Sequence, residues 1–173
     1  SPRASEQVAF LQLSGGTTGV SKLIPRTHAA YLYSVRGSAD ICNLTCNTTM
    51  LVALPAAHNF TMSSPGILGA MCVQAKMVFA ADPSPQTAFA LIENEGVTFT
   101  ALVPPLAQAW VASAEKRGVQ LPSLSVLQVG GAKLAATVAG KIESVLGVQV
   151  QQVFGIAEGL VIYTRAGDSP RIR

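Results

Sequence analysis

From Leu13 to Lys22 the chain reads Leu-Ser-Gly-Gly-Thr-Thr-Gly-Val-Ser-Lys, a set of small residues and hydroxyls between an apolar run and a cation. Gly15, Gly16 and Gly19 allow successive backbone N–H groups to turn inward as an anion-binding nest. Ser14, Thr17 and Thr18 add donors and Lys22 adds charge, so phosphate is the natural guest. The common nucleotide loop places Lys directly after its last glycine, whereas Val20 and Ser21 intervene here, and no G-x-G-x-x-G is present. Composition by itself also fits an ordinary polar turn.

Three more clusters carry groups that could do chemistry: Ala56-Ala57-His58-Asn59-Phe60, Gly130-Gly131-Ala132-Lys133 and Phe154-Gly155-Ile156-Ala157-Glu158-Gly159. Taken alone, His58 reads as a structural strand-end histidine and Glu158 as a helix-terminal or surface charge. The glycine pair reads as a strand-to-helix turn.

These clusters need elements to position them. Val8 to Ser14, Thr49 to Pro55, Lys76 to Ala80, Val97 to Pro104, Ser125 to Gly131 and Val148 to Gly155 read as strands. Helices are expected between them. Thr27 is a candidate N-cap for the stretch to Cys42, with Ala30, Tyr33, Gly37 and Ile41 on one face. Ser84 caps a helix that Gly96 ends; Pro105 to Gly118 and Lys133 to Gly147 end likewise at glycine. Alternating strands and helices, with near-continuous apolar strands such as Met50 to Leu54, predict an α/β fold: a doubly wound, mainly parallel sheet flanked by helices. Ligands bind such sheets outside the carboxyl ends of the strands. All four polar clusters are expected there, on one rim of one sheet.

In this order, Leu13 to His28, Pro55 to Gly66, Ala101 to Pro105, Leu127 to Leu134 and Gln151 to Arg165 resemble the motifs of acyl-adenylate-forming enzymes, within the branch that activates aryl acids. The resemblance runs from about Val8 to Asp168. It implies that residues 1–173 are a single α/β segment, a subdomain of the large N-terminal AMP-binding domain, with the C-terminal domain absent. It also implies ATP and Mg²⁺ as the groups bound, and an aryl acid and a carrier protein as partners. Of the acids, 2,3-dihydroxybenzoate fits best.

The resemblance assigns roles residue by residue. Ser14, Gly15, Gly16, Thr17, Thr18, Gly19 and Lys22 would hold the ATP phosphates, with Thr17, Thr18 and Lys22 acting on the leaving pyrophosphate. Gly131, Ala132, Val153, Phe154 and Gly155 would line the adenine site, and Glu158 would hold Mg²⁺, which favours carboxylate and phosphate oxygens. His58, Asn59 and Phe60 would form the acid pocket with Gly130, Gly131, Ser64 and Val161; Asn59 would bond the ring hydroxyl, and His58 is a further catalytic candidate. Salicylate-activating relatives tend to carry Cys at the position of Ser64 and Leu at that of Val161, so this pair points to the dihydroxy acid. Two residues depart from the family pattern: Ser21, where Pro is usual, and Ile162, where Asn is usual.

The implied reaction joins the acid to AMP, releases pyrophosphate and then passes the acyl group to a phosphopantetheine thiol, as in siderophore assembly. The segment alone is expected to be inactive, because the family's later aspartate, hinge and C-terminal lysine have no counterparts in it. Alternatives are a salicylate or acyl-CoA ligase segment, or a nucleotide-binding module without catalysis.

Composition fits this reading. The net charge of +3, from 12 Lys and Arg against 9 Asp and Glu, is spread without a basic run, so no nucleic-acid footprint is expected. A hydrophobic fraction of 49% with mean hydropathy +0.40 is high for a free-standing domain, and predicts apolar surface covered by further chain. The apolar stretch from Gly66 is interrupted by Gln74 and Lys76 and is too short to span a bilayer. No signal peptide is read at the start, where Met is also lacking. Cys42, Cys46 and Cys72 do not form a recognisable redox or zinc pattern, so reduced cysteines and a cytoplasmic location are expected.

Overall fold

The computed structural model describes residues 4–13, 22–165 and 168. A short 3₁₀ turn, Ala4–Glu6, leads into strand β1 (Val8–Leu13), which pairs antiparallel with β2 (Leu23–Thr27) in a separate two-stranded sheet. The expectation that the first strand joins the main sheet is therefore corrected. The physical reason is the unanticipated β2, which satisfies the backbone groups of β1 as an antiparallel partner; the short connection between the two excludes a parallel pairing. In sequence, β1 and β2 bracket the glycine-rich stretch, and Ser14, Gly15, Gly16, Thr17, Thr18 and Gly19 lie outside the described residues.

The main sheet contains β3 (Thr49–Val52), β4 (Lys76–Phe79), β5 (Phe99–Leu102), β6 (Val126–Gly130), β7 (Gln149–Gly155) and β8 (Val161–Tyr163), in the order β4-β3-β5-β6-β7-β8. All neighbours are parallel except β7 and β8, where Gly155 faces Val161 and Val153 faces Tyr163. The helices are α1 (His28–Ile41), α2 (Asn59–Ser63), α3 (Gly66–Cys72), α4 (Pro85–Glu95), α5 (Pro104–Arg117) and α6 (Ala136–Leu146).

Alternation along the strands sends side chains to opposite faces. Leu51, Leu102, Leu127, Val129 and Val150 pack with Ile92, Trp110 and Ile142 of α4, α5 and α6. Met50 and Phe99 pack on the other face with Ala39 of α1 and Ala70 of α3. Helices on both faces of a mostly parallel sheet make the expected doubly wound α/β fold. Trp110 is fully buried, meets Phe89 edge-on at 5.4 Å, and satisfies its indole N–H on the Pro83 carbonyl at 2.9 Å.

Several boundaries follow from side-chain chemistry visible in the sequence. Thr27 Oγ1 accepts from the Ala30 amide at 3.2 Å, and Ser84 Oγ from the Thr87 amide at 3.3 Å, so both act as N-caps. Gly96, Gly118 and Gly147 end α4, α5 and α6 in the left-handed region. The face expected on α1 is the outer one: Tyr33 is 84% exposed, whereas Tyr31, Val35, Ser38 and Ala39 are buried. The apolar stretch from Gly66 divides into α3 and β4, and among the described residues no helix is long and apolar enough to cross a membrane.

A polar cluster interrupts the core beside α1. The Gln128 Nε2 group donates to Gln151 Oε1 at 2.8 Å and to the Cys42 sulfur at 3.2 Å. Burial pushes the Cys42 thiol up to about 12, against which the glutamine contacts act only weakly. Cys46 and Cys72 are exposed. A thiol reagent at pH 8 is therefore expected to label Cys46 and Cys72 in the folded chain and Cys42 only after denaturant, as mass spectrometry of peptides would read. Rapid native labelling of Cys42 would contradict the packing. The sign of the linkage follows: the unfolded thiol ionises near its ordinary value of 9.0 while the folded one stays protonated. This contribution to stability is intact below pH 9 and falls by about 1.4 kcal/mol per pH unit above it.

Candidate active site

Three of the expected clusters meet at the carboxyl ends of the main strands. A cleft of about 530 Å³ is lined by His58, Asn59, Phe60 and Ser64 on one side, and by Gly131, Val153, Gly155 and Glu158 on the other, with Leu13 at its margin. This is the rim at which a doubly wound sheet binds ligands.

One side of the cleft is built by the short helix α2 and the residues that flank it. The His58 Nδ1 accepts from the Phe60 amide at 3.2 Å and caps α2. That bond places the neutral imidazole's proton on Nε2, so the histidine both ends the preceding loop and borders the cleft. Phe60 is buried, and its ring presses on β6: a Cβ added at Gly130 would lie 3.0 Å from Phe60 Cζ and 3.0 Å from the Val153 carbonyl oxygen. Both contacts are tighter than a Cβ ordinarily makes, so a side chain at that position would have to displace the Phe60 ring or the β7 backbone by a few tenths of an ångström. Ser64 is 3% exposed and borders both the cleft and a smaller cavity of about 20 Å³ beneath it. Thr61 and Gln128 also line that cavity, and their Oγ1 and Oε1 have no protein partner among the described residues.

On the opposite side, the turn after β7 carries Glu158, which is exposed and is the one carboxylate among the described residues that line the cleft. Gly159 has φ +119°, and a Cβ there would meet Arg26 Nη1 at 2.5 Å. Arg26 Nη1 donates to the Ala157 carbonyl at 3.3 Å, and its guanidinium lies 5.4 Å from the centroid of the Tyr31 ring. The hairpin that flanks the glycine-rich stretch is thereby clipped to the glutamate-bearing turn.

Other sequence-assigned residues stand outside the cleft lining. Phe154 is 60% exposed and pairs across the edge with Ile162, Ala132 is exposed, and Gly130 is buried beneath Phe60. Val161 is half-buried and packs on Gly155, which lines the cleft, with Cγ2 3.7 Å from where a Cβ would be. Lys22 is exposed at the start of β2. Burial also raises the Tyr163 hydroxyl well above the ordinary tyrosine range, with Ser38 and Ser64 hydroxyls opposing the rise.

Sequence reasoning missed Arg26, Tyr31 and Gln12. Tyr31 donates to Asn59 Oδ1 at 2.9 Å and accepts from Gln12 Nε2 at 3.0 Å. No local motif announces these contacts, which join elements distant in sequence.

The doubly wound sheet with a cleft at its carboxyl rim is the architecture of a nucleotide-binding α/β class, and residues 1–172 match the AMP-binding enzyme family, to which the chain belongs. The chain is 55% identical over 168 residues to the 2,3-dihydroxybenzoate-AMP ligase of Bacillus subtilis, covering 97% of this chain and 31% of that one. It is 52% identical over 164 residues to the salicyl-AMP ligase / salicyl-S-ArCP synthetase of Mycobacterium tuberculosis, covering 95% and 29%. The apo structure of MbtA from Mycobacterium smegmatis superposes with a TM-score of 0.87 at 54% identity, over 95% of this chain and 30% of that chain. The chain thus spans about a third of the length of the relatives it matches.

Proposed function

We propose that this chain is the part of an aryl-acid–AMP ligase that forms the acid pocket and one wall of the ATP site, with 2,3-dihydroxybenzoate as its acid. The observation that carries this reading is the convergence of His58, Asn59, Phe60 and Ser64 with Gly131, Val153 and Glu158 on one cleft. A flat aromatic acid fits between the Phe60 wall and the glycines of β6, with few polar groups to orient it. In the complete enzyme an oxygen of the acid carboxylate bonds to the α-phosphorus of ATP. The bond from that phosphorus to the bridging oxygen breaks, and pyrophosphate leaves with the electron pair. The thiolate of a carrier protein's phosphopantetheine arm then bonds to the acyl carbon of the aryl-AMP, the bond from that carbon to the phosphate oxygen breaks, and AMP leaves with the electron pair.

Within this chain, Ser14, Gly15, Gly16, Thr17, Thr18, Gly19 and Lys22 are assigned to the ATP phosphates. Gly131, Ala132, Val153, Phe154 and Gly155 are assigned to the adenine side. Glu158 is the residue for Mg²⁺; a single carboxylate that faces an open cleft suits an ion which takes most of its other ligands from phosphate and water. When bound, that ion would neutralise charge on the phosphates during displacement. Among the described residues no group of three His, Cys, Asp or Glu side chains could hold a metal ion.

Salicylate is the second reading, favoured by the 52% identity to a salicyl-AMP ligase. Ser64 decides between the two: a hydroxyl at the rear of the pocket can pair with a 3-hydroxyl that salicylate lacks. The test is ATP–pyrophosphate exchange by a full-length ligase that carries this segment. Faster exchange with 2,3-dihydroxybenzoate, lost as preference in Ser64→Cys, is the expected result. Preference for salicylate selects the second reading, and no exchange with any aryl acid removes both.

A further inference from the structure

Asn59 is held by two donors and offers one group in return. Its Oδ1 accepts from Tyr31 Oη at 2.9 Å and lies 3.1 Å from Ser63 Oγ, which also donates to the Asn59 carbonyl at 3.0 Å. Tyr31 is 3% exposed, and its ring packs on Phe10 at 4.8 Å beneath the Arg26 guanidinium. Its hydroxyl already accepts from Gln12 Nε2, which cannot accept in turn, so its own proton goes to Asn59. Among the described residues nothing accepts from Asn59 Nδ2, and Asn59 borders the cleft.

We propose that Tyr31 is a positioning residue that sets the polarity of the acid pocket: by engaging the oxygen of the Asn59 amide it leaves only N–H for the ligand, so the pocket selects acids with an acceptor oxygen ortho to the carboxylate. The inference rests on the cleft being an aryl-acid site. An ortho-hydroxybenzoate satisfies this demand. Its hydroxyl proton closes an internal bond to its own carboxylate, and the oxygen's lone pairs face outward to accept from Asn59. An ortho-amino group does not, because its lone pair is delocalised into the ring and its protons meet another donor. A buried polar chain from Gln12 through Tyr31 to Asn59 therefore reads the ortho substituent without either of the first two residues touching the acid.

The discriminating experiment is exchange kinetics of a full-length ligase carrying this segment, with 2-hydroxybenzoate, benzoate and 2-aminobenzoate as acids. Tyr31→Phe keeps the ring against Phe10 and Arg26 but removes the hydroxyl. The KM for 2-hydroxybenzoate is expected to rise about tenfold, the size of one oriented hydrogen bond, while the KM values for ATP and for benzoate stay within about twofold. The penalty against 2-aminobenzoate should shrink, because the released amide can turn its oxygen to the ligand. An unchanged preference for 2-hydroxybenzoate over benzoate overturns the proposal, as does an equal loss with all three acids. If Tyr31→Phe does not fold, Ser63→Ala decides the matter: it removes the second donor, and the same preference should fall by about threefold. No exchange with any aryl acid by the parent ligase would overturn the cleft reading and this inference with it, whereas normal parental exchange with an unmoved preference overturns this inference alone.

Discussion

Glu158→Gln in a full-length ligase carrying this segment is expected to lower kcat for ATP–pyrophosphate exchange by about 10²–10³, the usual scale for removing one electrostatic contact to a charge that develops in the transition state. Glutamine preserves the volume and the ability to accept a hydrogen bond through its amide oxygen, so the turn should keep its shape. What it lacks is the negative charge that holds a divalent cation against phosphate oxygens. The Mg²⁺ concentration needed for half-maximal rate should therefore rise, while the KM for the aryl acid stays close to the parent's because Asn59 and Phe60 are untouched. Two features argue that Glu158 is placed for this role. It faces the same cleft as His58, Asn59, Phe60 and Ser64, and its turn is fixed from behind by Arg26, which bonds the Ala157 carbonyl and packs on Gly159. A kcat within about threefold of the parent at every Mg²⁺ concentration would remove Glu158 from the mechanism. A large rise in the acid KM instead would make the glutamate a determinant of pocket shape.

The contrast between what the sequence reveals and what it hides is a contrast between local and distant physics. Thr27 and Ser84 could be read as caps because a side-chain oxygen reaches an amide three residues on. The glycines after α4, α5 and α6 announce left-handed ends for a similarly local reason. Strand β2 was hidden: Leu23–Thr27 is short and contains Pro25, which weighs against a strand, yet it forms half of an isolated hairpin where proline costs little. Helix α1 satisfies helical spacing on two adjacent stripes. The buried one contains Tyr31 and Ser38, and Tyr31 tolerates burial because Gln12 and Asn59 satisfy its hydroxyl. That pairing spans distant elements, so neither periodicity nor composition could have chosen the stripe. In the site, motif order sufficed to nominate His58, Asn59, Phe60, Ser64, Gly131 and Glu158, whereas the residues that hold them in place emerged only from the packing.

Gly66→Ala is expected to be the most damaging methyl group that can be added to this chain near the site. Gly66 opens α3 with φ +54°, a backbone region that an L side chain enters only with strain. The added Cβ would run into the Thr61 carbonyl oxygen and lie 2.6 Å from its carbon, and those atoms belong to the backbone of α2. No rotamer change can relieve that contact; α2 must move, and it carries Asn59, Phe60 and Ser63. Strain and overpacking together should cost about 3 kcal/mol, or about 6–12 °C in Tm for a domain of this size. The KM for the aryl acid should rise in parallel, because the slot is displaced along with its helix. Gly37→Ala supplies the control within the same domain. Gly37 lies mid-helix in α1 with no atom within 4 Å of a new Cβ, so alanine there should leave the acid KM alone and raise stability by about 0.5–1 kcal/mol through helix propensity. Thermal unfolding of the two variants beside the parent separates the cases. If Gly66→Ala melts within 2 °C of the parent, α2 and α3 have room to part and the pocket wall is not held by that junction; if it melts early while the acid KM is unchanged, the junction stabilises the fold without setting the pocket.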